Sequence, residues 1–299
     1  MNKKNLNLII MTVVYPGATN HVKKFVNSMN NQTNKKFNLI VVNDNNKNAA
    51  KIIDDKSNFE VRFFNSRSSR VNNRVKGLRF VIKNTKFDYI AFLDIDDYPD
   101  KNFVKSIHDF TKKNNKIKMF STKLKMKNNF FQKKNSLILS DIINDHQVGY
   151  GTLCLRKDFT ADFIFASKYK ALLFDWFISL IYLLKYKFLY INYKSTIIYN
   201  SSHNTTLKKW KSLNKKNIVK IINLKKDLYS KVLKFLKDKN YKSQRNIFKK
   251  KILDMSDLSI FIKDKKRLKK YKKHLKKYIK NKKNLGWLDN AQPLYRLGL

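Results

Sequence analysis

Three short apolar runs, each cut off by turn-forming residues, constrain this chain more than any other feature. Leu6 to Tyr15 is stopped by Pro16-Gly17, and Leu39-Ile40-Val41-Val42 by Asn43-Asp44-Asn45-Asn46. The third, Tyr89-Ile90-Ala91-Phe92-Leu93, is stopped by Asp94-Ile95-Asp96-Asp97. Runs of this length without polar alternation read as strands buried on both faces. Between them, Val22, Phe25, Val26 and Met29, then Val75, Leu78, Val81 and Ile82, fall at helical spacing and give one apolar face each. Strand, helix, strand, then helix and strand again spell a mixed, mostly parallel α/β sheet, Rossmann-like, with helices on both faces. The first run follows Lys3-Lys4 in the manner of a signal peptide. It closes at Pro16 with no small-residue cleavage site, so a strand is the expectation.

Charge is the second constraint. Across 299 residues, 66 Lys and Arg stand against 21 Asp and Glu, a net +45, while 42% hydrophobic content still allows a sizeable core. Only nine of the 66 basic residues are Arg, and Asn is abundant, as A-rich codons would produce. That account fails for the acids, because Glu60 is the only glutamate although Glu codons are no richer in G+C than those of Asp. Residues 1–200 hold 35 basic and 15 acidic residues, residues 201–299 hold 31 and 6, so the charge concentrates in the tail. Codon drift and an anionic partner surface both stay open. The single Cys154 excludes an internal disulfide or a Cys-based zinc cluster and points to a cytoplasmic compartment. The apolar stretch Ala171 to Leu184 contains Asp175 and is shorter than the ~20 residues a bilayer span needs. From about residue 205 the pattern becomes Lys-rich amphipathic helix, with Leu268, Tyr271, Leu275 and Tyr278 on one stripe.

Where Lys is the default cation, retained arginines carry information. Five of the nine, Arg62, Arg67, Arg70, Arg74 and Arg79, lie within 18 residues. A planar bidentate fork suits a diphosphate, whereas the plain alternative is a solvated strand and helix. In a doubly wound sheet the loops at strand C-terminal ends line the ligand crevice, so Asp44, Asp94–Asp97 and the Pro16 loop should converge. Three aspartates in four residues repel one another unless a cation answers them. They either bind a hard divalent ion or form a polar turn.

In this order and spacing the pieces resemble the start of family 2 glycosyltransferases with the GT-A fold. They are an apolar strand, Pro16, Gln32-Thr33, Phe37 to Asp44, Arg74-x-x-Gly77, and Asp88 to Asp97. The resemblance covers roughly residues 6–110 well and 145–205 loosely. It implies a GT-A catalytic domain over 1–204, with a nucleotide-sugar half at about 6–110 and an acceptor half at about 111–204. A basic helical extension then fills 205–299. It also implies a nucleotide-diphospho-sugar donor, a glycan or lipid-linked acceptor, and Mn²⁺ or Mg²⁺. Tyr15 and Pro16 match the first nucleotide-contacting loop, and Asp44 the acid that contacts the base. Asp94 and Asp96 match the Asp-x-Asp motif, Asp96 as metal ligand and Asp94 between metal and ribose. Asp97 faces the donor sugar, Arg70 and Arg74 join the nucleotide-sugar site, and His203 helps hold the metal. Asp175 matches the general base of an inverting displacement, its carboxyl raised by apolar neighbours. Three departures stand out: Gly17-Ala18-Thr19-Asn20 in the first loop, Asn43 for the first Asp of a pair, and Phe174 for the first member of a Glu-Asp pair.

The competing class is a basic protein without transferase activity that binds nucleic acid or a membrane surface. No zinc, RNP-like or helix-turn-helix pattern supports nucleic acid, and the acidic turn would repel phosphates. The tail's Leu and Tyr stripe flanked by Lys suits anionic headgroups, a peripheral position at the inner face of the membrane, or simple packing on the catalytic domain.

Overall fold

A computed structural model describes residues 6–126, 129–130, 134–143, 148–198 and 215–263. The chain divides into two compact units, each built from separate segments. Met1–Leu137, Val148–Lys168 and Phe188–Asn200 form the first. Ile138–Gln147, Tyr169–Lys187 and Ser201–Leu299 form the second.

The first unit opens with β1 (Leu8–Val14), α1 (Thr19–Asn30), β2 (Asn38–Asn43), α2 (Lys47–Lys56), β3 (Val61–Asn65), α3 (Arg70–Asn84) and β4 (Tyr89–Phe92). It continues with β5 (Tyr98–Pro99), α4 (Phe103–Lys113), β6 (Met119–Met126), β7 (Asn129–Phe130) and β8 (Ser136–Leu137). The later segments add β9 (Leu153–Arg156), α6 (Thr160–Ser167) and β10 (Leu189–Ile198). In the second unit lie α5 (Leu139–Ile142), α7 (Phe174–Lys185), α8 (Lys215–Asp238) and α9 (Arg245–Lys263).

The ten strands make one sheet in the order β3-β2-β1-β4-β9-β6-β10-β5, with β7 on β6 and β8 on β10. β3, β2, β1 and β4 are mutually parallel; β1, β2 and β4 are the three buried apolar runs, and β3, none of whose residues is buried, is a fourth that the runs did not announce. β9 then enters antiparallel between β4 and β6, which makes the sheet mixed. Successive side chains of a strand point to opposite faces. Ile10 and Val14 accordingly share a core with Val22, Phe25 and Val26 of α1, while Met11 meets α3. Helices therefore cover both faces of β1. Strand order reverses between β1 and β4, because β2 leaves β1 on one side and β4 arrives on the other. That switch point opens a crevice at the strands' C-terminal ends.

α3 sits unusually close to the sheet at Gly77. A Cβ there would lie 2.4 Å from Val42 Cγ2 and 2.9 Å from Met11 Sδ, so only a hydrogen fits. Ser69 caps the helix by accepting from the Asn72 N–H at 3.3 Å. These two features fix the height and start of α3, and with them the aim of its first two turns.

In the second unit α7 is apolar almost all round, with Phe174 and Trp176 to Leu183 buried. Its Trp176 Nε1 donates to the Ile142 carbonyl at 2.6 Å, and the Tyr229 hydroxyl of α8 donates to Ile143 at 2.7 Å. α8 is Lys-rich as its sequence foretold, and Leu228, Tyr229, Val232, Phe235 and Leu236 are buried. No described helix is long and apolar enough to cross a membrane. The Leu268–Tyr278 stripe and His203 lie outside the described residues.

Gly77→Ala is expected to force α3 off β1 and β2, costing roughly 1–3 kcal/mol as overpacking of a tight contact does. A urea-denaturation midpoint that falls at unchanged m-value is the check.

Candidate functional site

The loops that follow β1, β2 and β4 meet at the switch-point crevice. Asn46 knits the first two together. It caps α2 by accepting from the Ala49 N–H at 3.0 Å, and its amide donates to the Tyr15 carbonyl at 3.0 Å. Its own N–H donates to Asn43 Oδ1 at 2.9 Å. Asn43 in turn donates from Nδ2 to Asn65 Oδ1 at 3.2 Å on β3. A carboxylate at position 43 has no such donor, which gives the departure there a structural reason. Asp44 follows, half-buried, its N–H donating to the Val14 carbonyl at 2.8 Å. Pro16 is exposed, and Gly17 turns the chain at φ +89°, a region where a glycine costs least.

Beside it, β4 ends in the acidic turn. Leu93 donates its N–H to the Met11 carbonyl at 3.0 Å, so the turn starts level with the end of β1. The Asp97 N–H closes the turn on the Asp94 carbonyl at 3.0 Å, and Asp97 itself is buried at 6% exposure. Arg74 comes from the second turn of α3 and forms an ion pair with Asp94. Its guanidinium also lies over the Tyr150 ring, 4.2 Å from the centroid. Arg70, one turn earlier on the same helix face, lies 5.9 Å from the centroid of the Tyr15 ring. A Cβ on Gly151 would come within 3.1 Å of the Asp94 nitrogen and Oδ2, so the Gly149–Gly151 segment packs directly on the acidic turn.

Burial, reinforced by the Asp94 charge, holds the Asp96 carboxyl above the usual carboxylate range, against the opposing pull of His21 and Arg70. The Tyr15 hydroxyl is pushed up to about 12, first by burial and then by the Asp96 charge. Burial and the like charge of Asp94 thus outweigh the nearby cations at Asp96. Asp94 and Asp96 supply hard oxygen donors, which suit Mg²⁺ or Mn²⁺. Among the described residues no group of three or more His, Cys, Asp or Glu is placed to hold a metal.

Tyr15, Pro16, Asp44, Arg70, Arg74, Asp94, Asp96 and Asp97 all fall in or around this crevice. Arg62 instead pairs with Glu60 at 2.7 Å, and Arg67 and Arg79 are exposed. The run of five arginines is not one cluster in space. Asp175 opens α7 in the second unit, half-buried, accepting from the Trp176 N–H at 2.9 Å. Cys154 is fully buried on β9, its thiol pushed up by burial, as a strand residue in the core should be. Three neighbours escaped the sequence reading: Tyr150, Gly151 and the buried His21. The Gly-Tyr-Gly triplet in a glycine-poor chain was the available signal for the first two. A groove of about 2040 Å³ opens elsewhere, at the N-terminal ends of the strands beside Leu6, Phe87 and Asp88. It holds none of the acidic-turn residues.

Above the ordinary carboxylate value, the folded state binds more protons at Asp96 than the unfolded chain does. Stability therefore falls as pH rises through the window up to the raised value and stays lower at neutral pH. Asp96→Asn is expected to raise the melting temperature of the ligand-free protein at pH 7 by about 2 °C, with the gain shrinking toward pH 4. Asp94→Asn, which removes the carboxylate that Arg74 holds, should lower it. Calorimetric melts across that pH range test both.

The family model for glycosyl transferase family 2 matches residues 10–181. Among solved structures, S. aureus TarS 1-349 is similar with a TM-score of 0.46 and 15% identity, covering 86% of this chain and 80% of that one. The same protein in complex with UDP-GlcNAc gives 0.48 and 15%, covering 98% and 92%. A further S. aureus TarS structure gives 0.47 and 16%, covering 77% and 44%. No curated protein matches the chain.

Proposed function

Because the chain belongs to glycosyl transferase family 2, we propose that it moves a sugar from a nucleotide-diphospho-sugar to a hydroxyl of a glycan or lipid-linked acceptor. The observation that carries this reading is the acidic turn at the β1/β4 switch point, flanked by two arginines from one helix face. A polar turn without function would not gather Asp94, Asp96 and Asp97 at a buried strand end in a chain so short of acids.

Each residue has a task that its setting supports. Tyr15, Pro16 and Asp44 sit on the two loops joined through Asn46 and receive the nucleoside. Arg70 and Arg74 present fixed positive charge to the diphosphate without reorganising when the leaving group gains charge. Asp94 and Asp96 would hold the Mn²⁺ or Mg²⁺, and His203, which lies outside the described residues, would be a further ligand. The ion supplies Lewis-acid neutralisation of the diphosphate when bound. Asp97, fixed by its place in the turn, orients the donor sugar. Asp175 takes the proton of the acceptor hydroxyl as that oxygen attacks the anomeric carbon from the face opposite the leaving group, which inverts the configuration.

Thermal-shift screening of UDP-, GDP-, CMP- and dTDP-sugars with Mn²⁺ should give one class that stabilises the protein, by about 2–3 kcal/mol at a hundredfold excess over Kd. Asp96→Ala should abolish both that shift and donor hydrolysis. If both survive, the acidic turn is not the donor site. Asp175→Asn should retain the shift while transfer falls at least a hundredfold.

A further inference from the structure

Both carboxylates of a metal-binding pair would ordinarily face a cation freely, yet one of them is already taken. Arg74 pairs with Asp94 and is 9% exposed, so its partner is not bulk water. Its position is set from three sides. α3 is pinned to the sheet by the Gly77 contact, three residues further along the helix. The Tyr150 ring lies under the guanidinium at 4.2 Å. That ring is itself wedged among aromatics, 6.3 Å from Phe92 and 6.3 Å from Phe163. A guanidinium offers its flat face to a ring and its N–H edge to an anion, so stacking on Tyr150 directs that edge to the anionic side, where Asp94 meets it.

Resting on the donor-site reading above, we propose that the Arg74–Asp94 pair couples cation binding to nucleotide binding. Paired with Asp94, Arg74 competes with any divalent ion that approaches alone. A diphosphate offers the same N–H edge a stronger anion, and Arg74 turns to it while its face stays on Tyr150. Asp94 is then released to the ion. Binding of either ligand alone is weak, and each raises the affinity of the other by the same factor. The arrangement keeps the acidic turn from collecting free metal ions and reserves it for those that arrive with a nucleotide. Tyr150 is a positioning residue in this scheme, acting through Arg74.

Mn²⁺ binding to the full-length chain, read from the loss of the free-ion signal in electron paramagnetic resonance, tests the coupling with and without UDP and needs no turnover. Arg74→Met should tighten the binding of Mn²⁺ alone, on the order of tenfold, and weaken UDP. Arg70→Met removes the same charge nearby without freeing Asp94 and should tighten Mn²⁺ far less. Tyr150→Phe keeps the ring and should behave as the parent protein, whereas Tyr150→Leu should shift part of the way toward Arg74→Met. Unchanged or weaker Mn²⁺ binding in Arg74→Met, or equal effects of Arg70→Met and Arg74→Met, overturns the coupling. A parent protein that binds no nucleotide at all overturns instead the donor-site reading on which it rests.

Discussion

Like charges crowded at the end of a buried strand are the interaction around which the first unit is arranged. Asp94, Asp96 and Asp97 share one turn, where burial disfavours ionisation of the Asp96 carboxyl and the neighbouring Asp94 charge adds to that penalty. Arg74 answers part of that charge directly, and Arg70 and His21 answer part of it through space. What remains is the charge that the metal ion proposed above would meet. A better-balanced turn would be more stable and would have less to offer a metal ion.

The height of a single helix above the sheet decides whether that balance is struck. Gly77 lets α3 approach β1 and β2 more closely than any side chain would permit. Arg70 and Arg74 lie three to seven residues before it on the same helix and inherit its position. Lifting the helix by the width of a methyl group would carry the guanidinium of Arg74 away from Asp94. A packing contact remote from any ligand thus sets the geometry of an ion pair at the crevice.

Much of this was legible in the amino-acid order because the signals are local. Continuous apolar runs ending in Pro-Gly, Asn-Asp or Asp-x-Asp named three of the four parallel strands and their C-terminal loops, while β3, without a buried residue, gave no such run. The arginines show where local reading stops. Five within 18 residues look like one patch. Helical spacing separates Arg70 and Arg74, four apart on one face, from Arg79 and from Arg62 and Arg67 that precede the helix. Tyr150 and Gly151 reach Asp94 across more than fifty residues, and only the antiparallel insertion of β9 beside β4 brings them there. Nothing in the neighbouring sequence encodes that pairing.

The second unit has a consequence for the order in which the chain folds. α7 is apolar on nearly every face and leaves the ribosome well before α8, the helix that packs against it within this unit. Until residues 215–238 are synthesised, its core-facing surface lacks its partner, a state in which aggregation competes with folding. The first 200 residues already carry 35 basic against 15 acidic groups, and mutual repulsion between nascent chains slows their association. Shortening the C-terminus would therefore reveal itself first as a loss of yield during synthesis, before any change in catalysis or binding could be measured.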